Sequence, residues 1–191
     1  MTSKRNETRG MIIMCFWQLL AKKPFTKIKV SDLVSHADIN RSTFYDYFLD
    51  KYDLLDQAIL DLLKPMTVQA KLAIEKVVTE QENFDDLIET YLITITAQLH
   101  ASRQKLTLLF DDSTRAVVQK QIKTLFDDIW KTSNQHLISP LPQGYLQSAI
   151  AAMMTDILMS WLLEKNPVSP ATFQQQFLPI SKMMLNSFTD L

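Results

Sequence analysis

Arg41, Ser42, Thr43, Tyr45 and Tyr47 crowd into seven consecutive positions, and side chains of these types hydrogen-bond to base edges and phosphates. An arginine guanidinium donates to guanine in a forked geometry. Serine and threonine hydroxyls reach base edges or phosphate oxygens, and Asp46 in the same run can accept from cytosine. Flanking positions extend this chemistry. Lys29 and Ser31 stand where a preceding helix would begin, and Lys51 where a following one would begin. At such places exposed backbone N–H groups and the positive end of the helix dipole favour a phosphate. Asn40 is of the type expected to cap a helix starting at Arg41, accepting from the backbone N–H of Thr43 or its neighbour.

These groups need a rigid support, and the apolar spacing supplies one. Leu33, Val34 and Ala37 share one side of a helix, while Ile39, Phe44 and Phe48 close over the same small core from the next element. Asp38 falls where the chain must reverse, and aspartate tolerates the left-handed backbone conformation better than most non-glycine residues. The spacing predicts a second helix over Arg41–Phe48, joined to the first by a tight turn. Further upstream, Ile12, Cys15, Phe16, Leu19 and Leu20 predict a first core helix, with Lys4, Arg5 and Arg9 just ahead of it as a basic arm for DNA backbone or minor groove. Cys15 is the only cysteine, which excludes an intrachain disulfide, and its neighbours make it a small buried hydrophobe.

In order and type the residues of this window resemble the N-terminal DNA-binding domain of the TetR family of bacterial transcriptional regulators. The resemblance is carried by Lys29, Val30, Asp32, Leu33, Ala37, Asp38, Ile39, Asn40, Thr43, Tyr45, Tyr47, Phe48, Lys51 and Leu54. Asp38 departs from it by replacing the usual turn glycine, and Lys23-Pro24 stands where the first helix commonly ends in glycine. The resemblance implies an all-α fold, with a three-helix DNA-binding domain containing a helix-turn-helix over residues 1–50 and a larger helical regulatory and dimerisation domain over 51–191. It also implies a homodimer on a palindromic operator in double-stranded DNA, its last two helices pairing with those of a second subunit as a four-helix bundle. Such a protein is by default a repressor, relieved by a small-molecule effector or a partner protein. The helix after the reader then carries motion between the two parts. Here it would run from Lys51 through Leu55, Ala58, Ile59 and Leu62, and Pro65 is expected to end or kink it.

Composition agrees with this reading. With 191 residues, 47% of them hydrophobic, and two glycines, the chain can bury a sizeable core and reads as mostly helical. Its net charge of −1 conceals an asymmetry: residues 1–52 hold nine Lys and Arg against five Asp and Glu, and 53–191 hold eleven against sixteen, so +4 stands against −5. Positive charge gathers where the phosphate chemistry is. Downstream, cap and break signals predict helices over Phe84–Ala101 behind Asn83, over Arg103–Phe110, and from Ser113 through Trp130 towards His136. A break follows at Ser139–Gly144, then a helix lined by Leu146, Ile150, Met153, Ile157 and Trp161, and a last one opened by Ser169 and Pro170. Tyr91, His100, Phe110, Trp130, Met153, Met154 and Trp161 can line an apolar cavity for an effector. Met153, Ile157, Phe177, Met184 and Phe188 lie on the apolar stripes expected to meet a second subunit.

Other classes fare badly. His36, His100 and His136 fall on different predicted helices without metal-ligand spacing, and there is no glycine-rich phosphate loop or glycine-framed nucleophilic serine. The acid pairs Asp85-Asp86, Asp111-Asp112 and Asp127-Asp128 point apart when helical. No enzyme, metal or cofactor is expected. The apolar run Met11–Trp17 is too short to span a bilayer or serve as a signal peptide, so a cytoplasmic protein without membrane attachment is expected. The competing reading is a helical interaction module that keeps this domain but binds chiefly a partner protein.

Overall fold

A computed structural model describes residues 2–80, 84–111, 113–133 and 142–186. Among them the regular elements are helical: α1 (Thr2–Leu20), α2 (Val30–His36), α3 (Arg41–Tyr45), α4 (Lys51–Glu80), α5 (Phe84–Ala101), α6 (Arg103–Leu108), α7 (Arg115–Ser133), α8 (Gln143–Leu163) and α9 (Pro170–Asn186), with a 3-10 turn at Phe25–Lys27. The fold is all-α, as expected, with a helix-turn-helix near the N-terminus and a larger helical region after it. Two compact units form: Met1–Leu62 with Leu108–Val118, and Leu63–Thr107 with Gln119–Leu191.

In the first unit, short helices too small to be stable alone are held by aromatic rings. Phe16 on α1 meets Phe25 edge-on at 6.2 Å, Phe25 meets Tyr52 at 5.3 Å, and Phe44 lies 5.7 Å from Phe48. Phe16, Phe25, Phe44 and Phe48 are all fully buried, alongside Ile12, Leu33 and Leu54. Cys15 is buried too, and desolvation pushes its thiol pKa up. Three expectations need correction here. Lys4, Arg5 and Arg9 belong to α1 and do not form an arm ahead of it, because Lys, Arg and Glu continue the helix back to Thr2. α3 ends at Tyr45 and not at Phe48. The N–H groups of Tyr47 and Phe48 both still reach the Phe44 carbonyl, at 3.1 and 3.0 Å, so a tight turn brings the Phe48 ring back to the core. Finally, α4 runs through Pro65 to Glu80. Proline removes one backbone hydrogen bond, and Leu55, Ile59, Leu63 and Met66 bury the same face on both sides of it.

The second unit is built on longer helices. α5 and α9 pack together, and Gln174 Nε2 donates to the Ile93 carbonyl at 3.1 Å and to the buried Thr96 hydroxyl. Lys182 and Glu89 add an ion pair at 3.1 Å. Arg103 closes the end of α8, donating to the carbonyls of Leu162 at 2.7 Å and Glu164 at 2.5 Å. The segment Gly144–Leu163 is long and apolar enough to cross a membrane by length and composition, and Ile150, Met154, Leu158 and Leu162 bury one face of it in the protein's own core. At the start of α9, Ser169 Oγ accepts from the Thr172 N–H at 3.2 Å with Pro170 in the first turn. α6 stops at Leu108, two residues before the expected Phe110. Upstream of α7 the expected cap, Ser113, gives way to Asp111, whose carboxylate accepts from the backbone N–H groups of Ser113 at 2.8 Å and Thr114 at 3.1 Å. Burial alone would raise the Asp111 pKa, but these bonds and those from the two hydroxyls outweigh it and hold the carboxyl below its ordinary range. Asn83 and His136 lie outside the described residues.

Candidate nucleic-acid interface

α2 and α3 reach their geometry through one unusual residue. Asp38 has φ 50, the left-handed conformation that a glycine adopts freely and an aspartate adopts at a cost. The Ala37 N–H returns to the Leu33 carbonyl at 2.9 Å and the Ile39 N–H to Val34 at 3.1 Å, closing α2 before the chain reverses. At the other end of α2, Asp32 accepts from the Lys29 N–H at 2.9 Å and from Lys23 Nζ at 2.6 Å. The bond from Lys23 and then the Lys29 N–H hold its carboxyl below the usual range. One of the N–H groups expected to favour phosphate is therefore occupied within the chain, while the Lys29 and Ser31 residues themselves are exposed.

α3 divides cleanly by face. Phe44 is completely buried and fixes the helix on its support, while Asn40, Arg41, Ser42, Tyr45 and Asp46 are exposed and Thr43 and Tyr47 half-buried. Asn40 occupies the N-cap position in extended conformation, but its side chain makes no capping hydrogen bond, so its amide is exposed on the same ridge. Arg41 and Tyr45, four residues apart, touch: the guanidinium lies 5.8 Å from the ring centroid and Nη2 donates to the phenol oxygen at 3.4 Å. Arg5 of α1 lies 5.9 Å from the Tyr47 ring. This arrangement presents a cationic fork, an amide and hydroxyls on a helix backed by a rigid aromatic core, the requirements for hydrogen-bonding in a major groove.

Two of the expected basic groups are engaged by partners within the chain. Lys51 Nζ donates to the carbonyls of Phe25, Thr26 and Ile28 at 3.2, 3.4 and 3.0 Å and lies 4.6 Å from the Phe25 ring centroid. Arg9 binds Asp61 at 2.6 Å and the Gln57 side-chain oxygen at 3.0 and 3.2 Å. Gln57 in turn donates to Asp53 at 3.0 Å, and Asp53 accepts from the Leu49 N–H at 2.8 Å. This relay from α1 through α4 to the turn after α3 was missed in the sequence. The i, i+4 spacing of Asp53, Gln57 and Asp61 is the signal that marks a shared polar face.

Residues 17–58 match the family described as bacterial regulatory proteins, tetR family. The N-terminal region is a TetR-family domain. Over nearly its whole length the chain is similar in fold to three solved structures. A TetR transcriptional regulator from Streptococcus agalactiae 2603V is 20% identical, with 94% of this chain and 96% of that one covered and a TM-score of 0.65. NalD of Pseudomonas aeruginosa, the secondary repressor of the MexAB-OprM multidrug efflux pump, is 15% identical, with 98% and 100% covered and a TM-score of 0.70. The dihydroxyacetone kinase operon activator DhaS is 18% identical, with 96% and 98% covered and a TM-score of 0.58. No curated protein matches the chain in sequence. The chain thus shares its fold with these structures over nearly its whole length, and its N-terminal helix-turn-helix region matches the TetR family.

Beyond the TetR domain, the expected effector-pocket residues are only partly gathered. His100 stacks on Trp161 at 5.7 Å, and Trp161 stacks on Phe173 at 4.2 Å with its indole N–H bonded to the Val168 carbonyl at 2.9 Å. Met154 is buried in the same compact unit, whereas Phe110 belongs to the other unit, beside Arg115. The side chains of Tyr91 and Trp130 lie outside the described residues. Trp161 instead shares a groove of about 710 Å³ with Met153 and Ile157, two residues expected at a subunit interface. Met153 is exposed, Ile157 half-buried, and Phe177 closed into its own core beside Phe173, so that Phe177 has no surface left for a partner. The Met184 side chain and Phe188 lie outside the described residues.

Proposed function

We propose that this protein is a homodimeric, sequence-specific transcriptional regulator that binds a palindromic operator in double-stranded DNA and acts as a repressor in the cytoplasm. The observation that carries the reading is the division of α3, with Phe44 fully buried behind it and Arg41, Ser42 and Tyr45 exposed on it. Asn40, Thr43 and Tyr47 complete the ridge facing the groove, Lys29 and Ser31 meet the flanking phosphates, and Lys51 supports the ridge from behind.

Dimerisation supplies what one short helix lacks. A five-residue recognition helix reads few base pairs, so useful specificity needs two copies. The surface best suited to a second copy is on α8 and α9, where Met153, which lines the groove, and Leu163, Ile180 and Met183 expose large apolar side chains. A two-fold dimer then sets its recognition helices about 34 Å apart, one turn of B-DNA. A small ligand or a partner protein that favours another spacing releases the operator. NalD is a repressor and DhaS an activator, so the sign of regulation is an experimental matter; obstruction of polymerase at an occupied operator is the simpler mechanism.

Selection of bound duplexes from a random pool tests this directly. Two inverted half-sites, recovered by a protein that sediments as a dimer, are expected. Recovery of no preferred duplex, together with retention of a protein partner, would favour the interaction-module reading.

A further inference from the structure

The two arginines with resolved hydrogen bonds in the TetR domain differ in what they already hold. Arg9 already holds a carboxylate and an amide, donating three N–H groups to Asp61 and Gln57. Arg41 is exposed and makes no ion pair with a carboxylate among the described residues; its partner is Tyr45, through a long hydrogen bond to the phenol oxygen and a contact with the ring. That contact takes one N–H of Nη2. Four of the five guanidinium N–H donors are left without a partner in that contact, and the planar fork they form has the spacing that matches two acceptors on a planar edge.

In the major groove only guanine offers two acceptors side by side, O6 and N7, whereas adenine pairs one acceptor with a donor. A long arginine side chain also loses much rotamer freedom when it binds, and a ring that holds it beforehand reduces that loss. Tyr45 is itself steadied by its edge-on contact with Phe44, at 5.5 Å, in the buried core. We infer that each operator half-site contains a guanine read by the Arg41 fork, and that Tyr45 is the positioning residue that aims it. This rests on α3 being the recognition helix, and names the base which that helix selects.

The test uses the full chain and the duplex recovered by selection. Each guanine in a half-site is replaced in turn by 7-deazaguanine, which lacks the N7 acceptor, or by inosine, which keeps N7 and O6 and loses only the minor-groove amino group. At one position 7-deazaguanine should weaken binding on the order of tenfold and inosine no more than about twofold. Arg41→Ala, which removes every donor of the side chain, should abolish the 7-deaza penalty. Tyr45→Ala should shrink it below about threefold, and Tyr45→Phe, which keeps the ring, should retain most of it. Because the penalty is a ratio between two duplexes bound by the same variant, general damage to the domain does not imitate these results. An equal penalty in wild type and Arg41→Ala, or a half-site without guanine, overturns the assignment of the base; a full penalty in Tyr45→Ala overturns the role of the tyrosine. Failure to enrich any duplex would instead strike at the regulator reading itself.

Discussion

The TetR domain and the α8–α9 region are both built on buried aromatic rings, yet they offer opposite surfaces. In the first, Phe44 and Phe48 turn inward and leave Arg41, Ser42 and Tyr45 outside. In the second, Trp161, Phe173 and Phe177 stack inward and leave Met153, Ile180 and Met183 outside. A rigid support that presents donors and cations suits a polyanion with hydrogen-bonding edges, and one that presents apolar side chains suits another protein surface. The partner is written in what the anchored helix leaves exposed. Anchoring itself is common to both regions.

If that contrast is right, removing an anchor should abolish the function of the first region. Phe44→Ala deletes a fully buried ring and should destabilise the TetR domain by about 3–5 kcal/mol, with loss of DNA binding. Denaturant unfolding and DNA titration measure the two consequences, and sedimentation should still report a dimer. A variant that binds DNA at wild-type affinity would show that the ring does not hold the reader.

The second region is broken from its exposed side. Met153→Glu places a carboxylate in a surface already carrying Asp156 and Glu164 beside the same groove, and burial of that charge against a second copy is expected to cost about 2–3 kcal/mol of dimer stability. Sedimentation at a series of concentrations should show the dissociation constant rising at least tenfold. Unchanged association would move the interface elsewhere on the chain.

Much of this contrast was legible in the sequence, and the exceptions have identifiable causes. The helix-turn-helix could be read because Leu33, Ala37, Phe44 and Phe48 follow a helical period and Asp38 marks the reversal, all local signals. The limits of α5 were read correctly for the same reason. Pro65 misled because the local rule that proline ends a helix is outweighed here by apolar burial on either side. The intrachain partners of Lys51 and Arg9 had no local signal: charge says that a cation is present, but those partners lie at least 23 residues away in sequence, and only the folded chain brings them together. On α8 the period was readable, but it could not tell which side is buried in the chain's own core: Met154 is, and Met153 of the expected interface stripe is exposed.

Within the TetR domain the contrast sharpens between cations that face outward and one that faces in. Lys51→Met keeps the apolar stem and removes the bonds to three carbonyls, so a loss of about 1–2 kcal/mol in unfolding free energy is expected. The salt dependence of DNA binding should hardly change, whereas Lys29→Met should lower that slope by about one phosphate contact with little effect on stability. The reverse pattern would return Lys51 to the phosphates.

The smallest effect concerns the turn that sets the angle of the whole reading surface. Asp38 occupies a left-handed conformation that disfavours any side chain, and in the proposed complex its negative charge would oppose the phosphates. Asp38→Gly removes the strain, although glycine also gives the unfolded chain more freedom, so the net gain should be about 0.5 kcal/mol and no more than about 1 kcal/mol. Thermal unfolding measures that gain, and DNA titration at low salt should show a modest rise in affinity for all duplexes alike. Asp38→Ala separates the two causes: it removes the same charge but keeps a side chain in the strained conformation, so it should share the gain in affinity without the gain in stability.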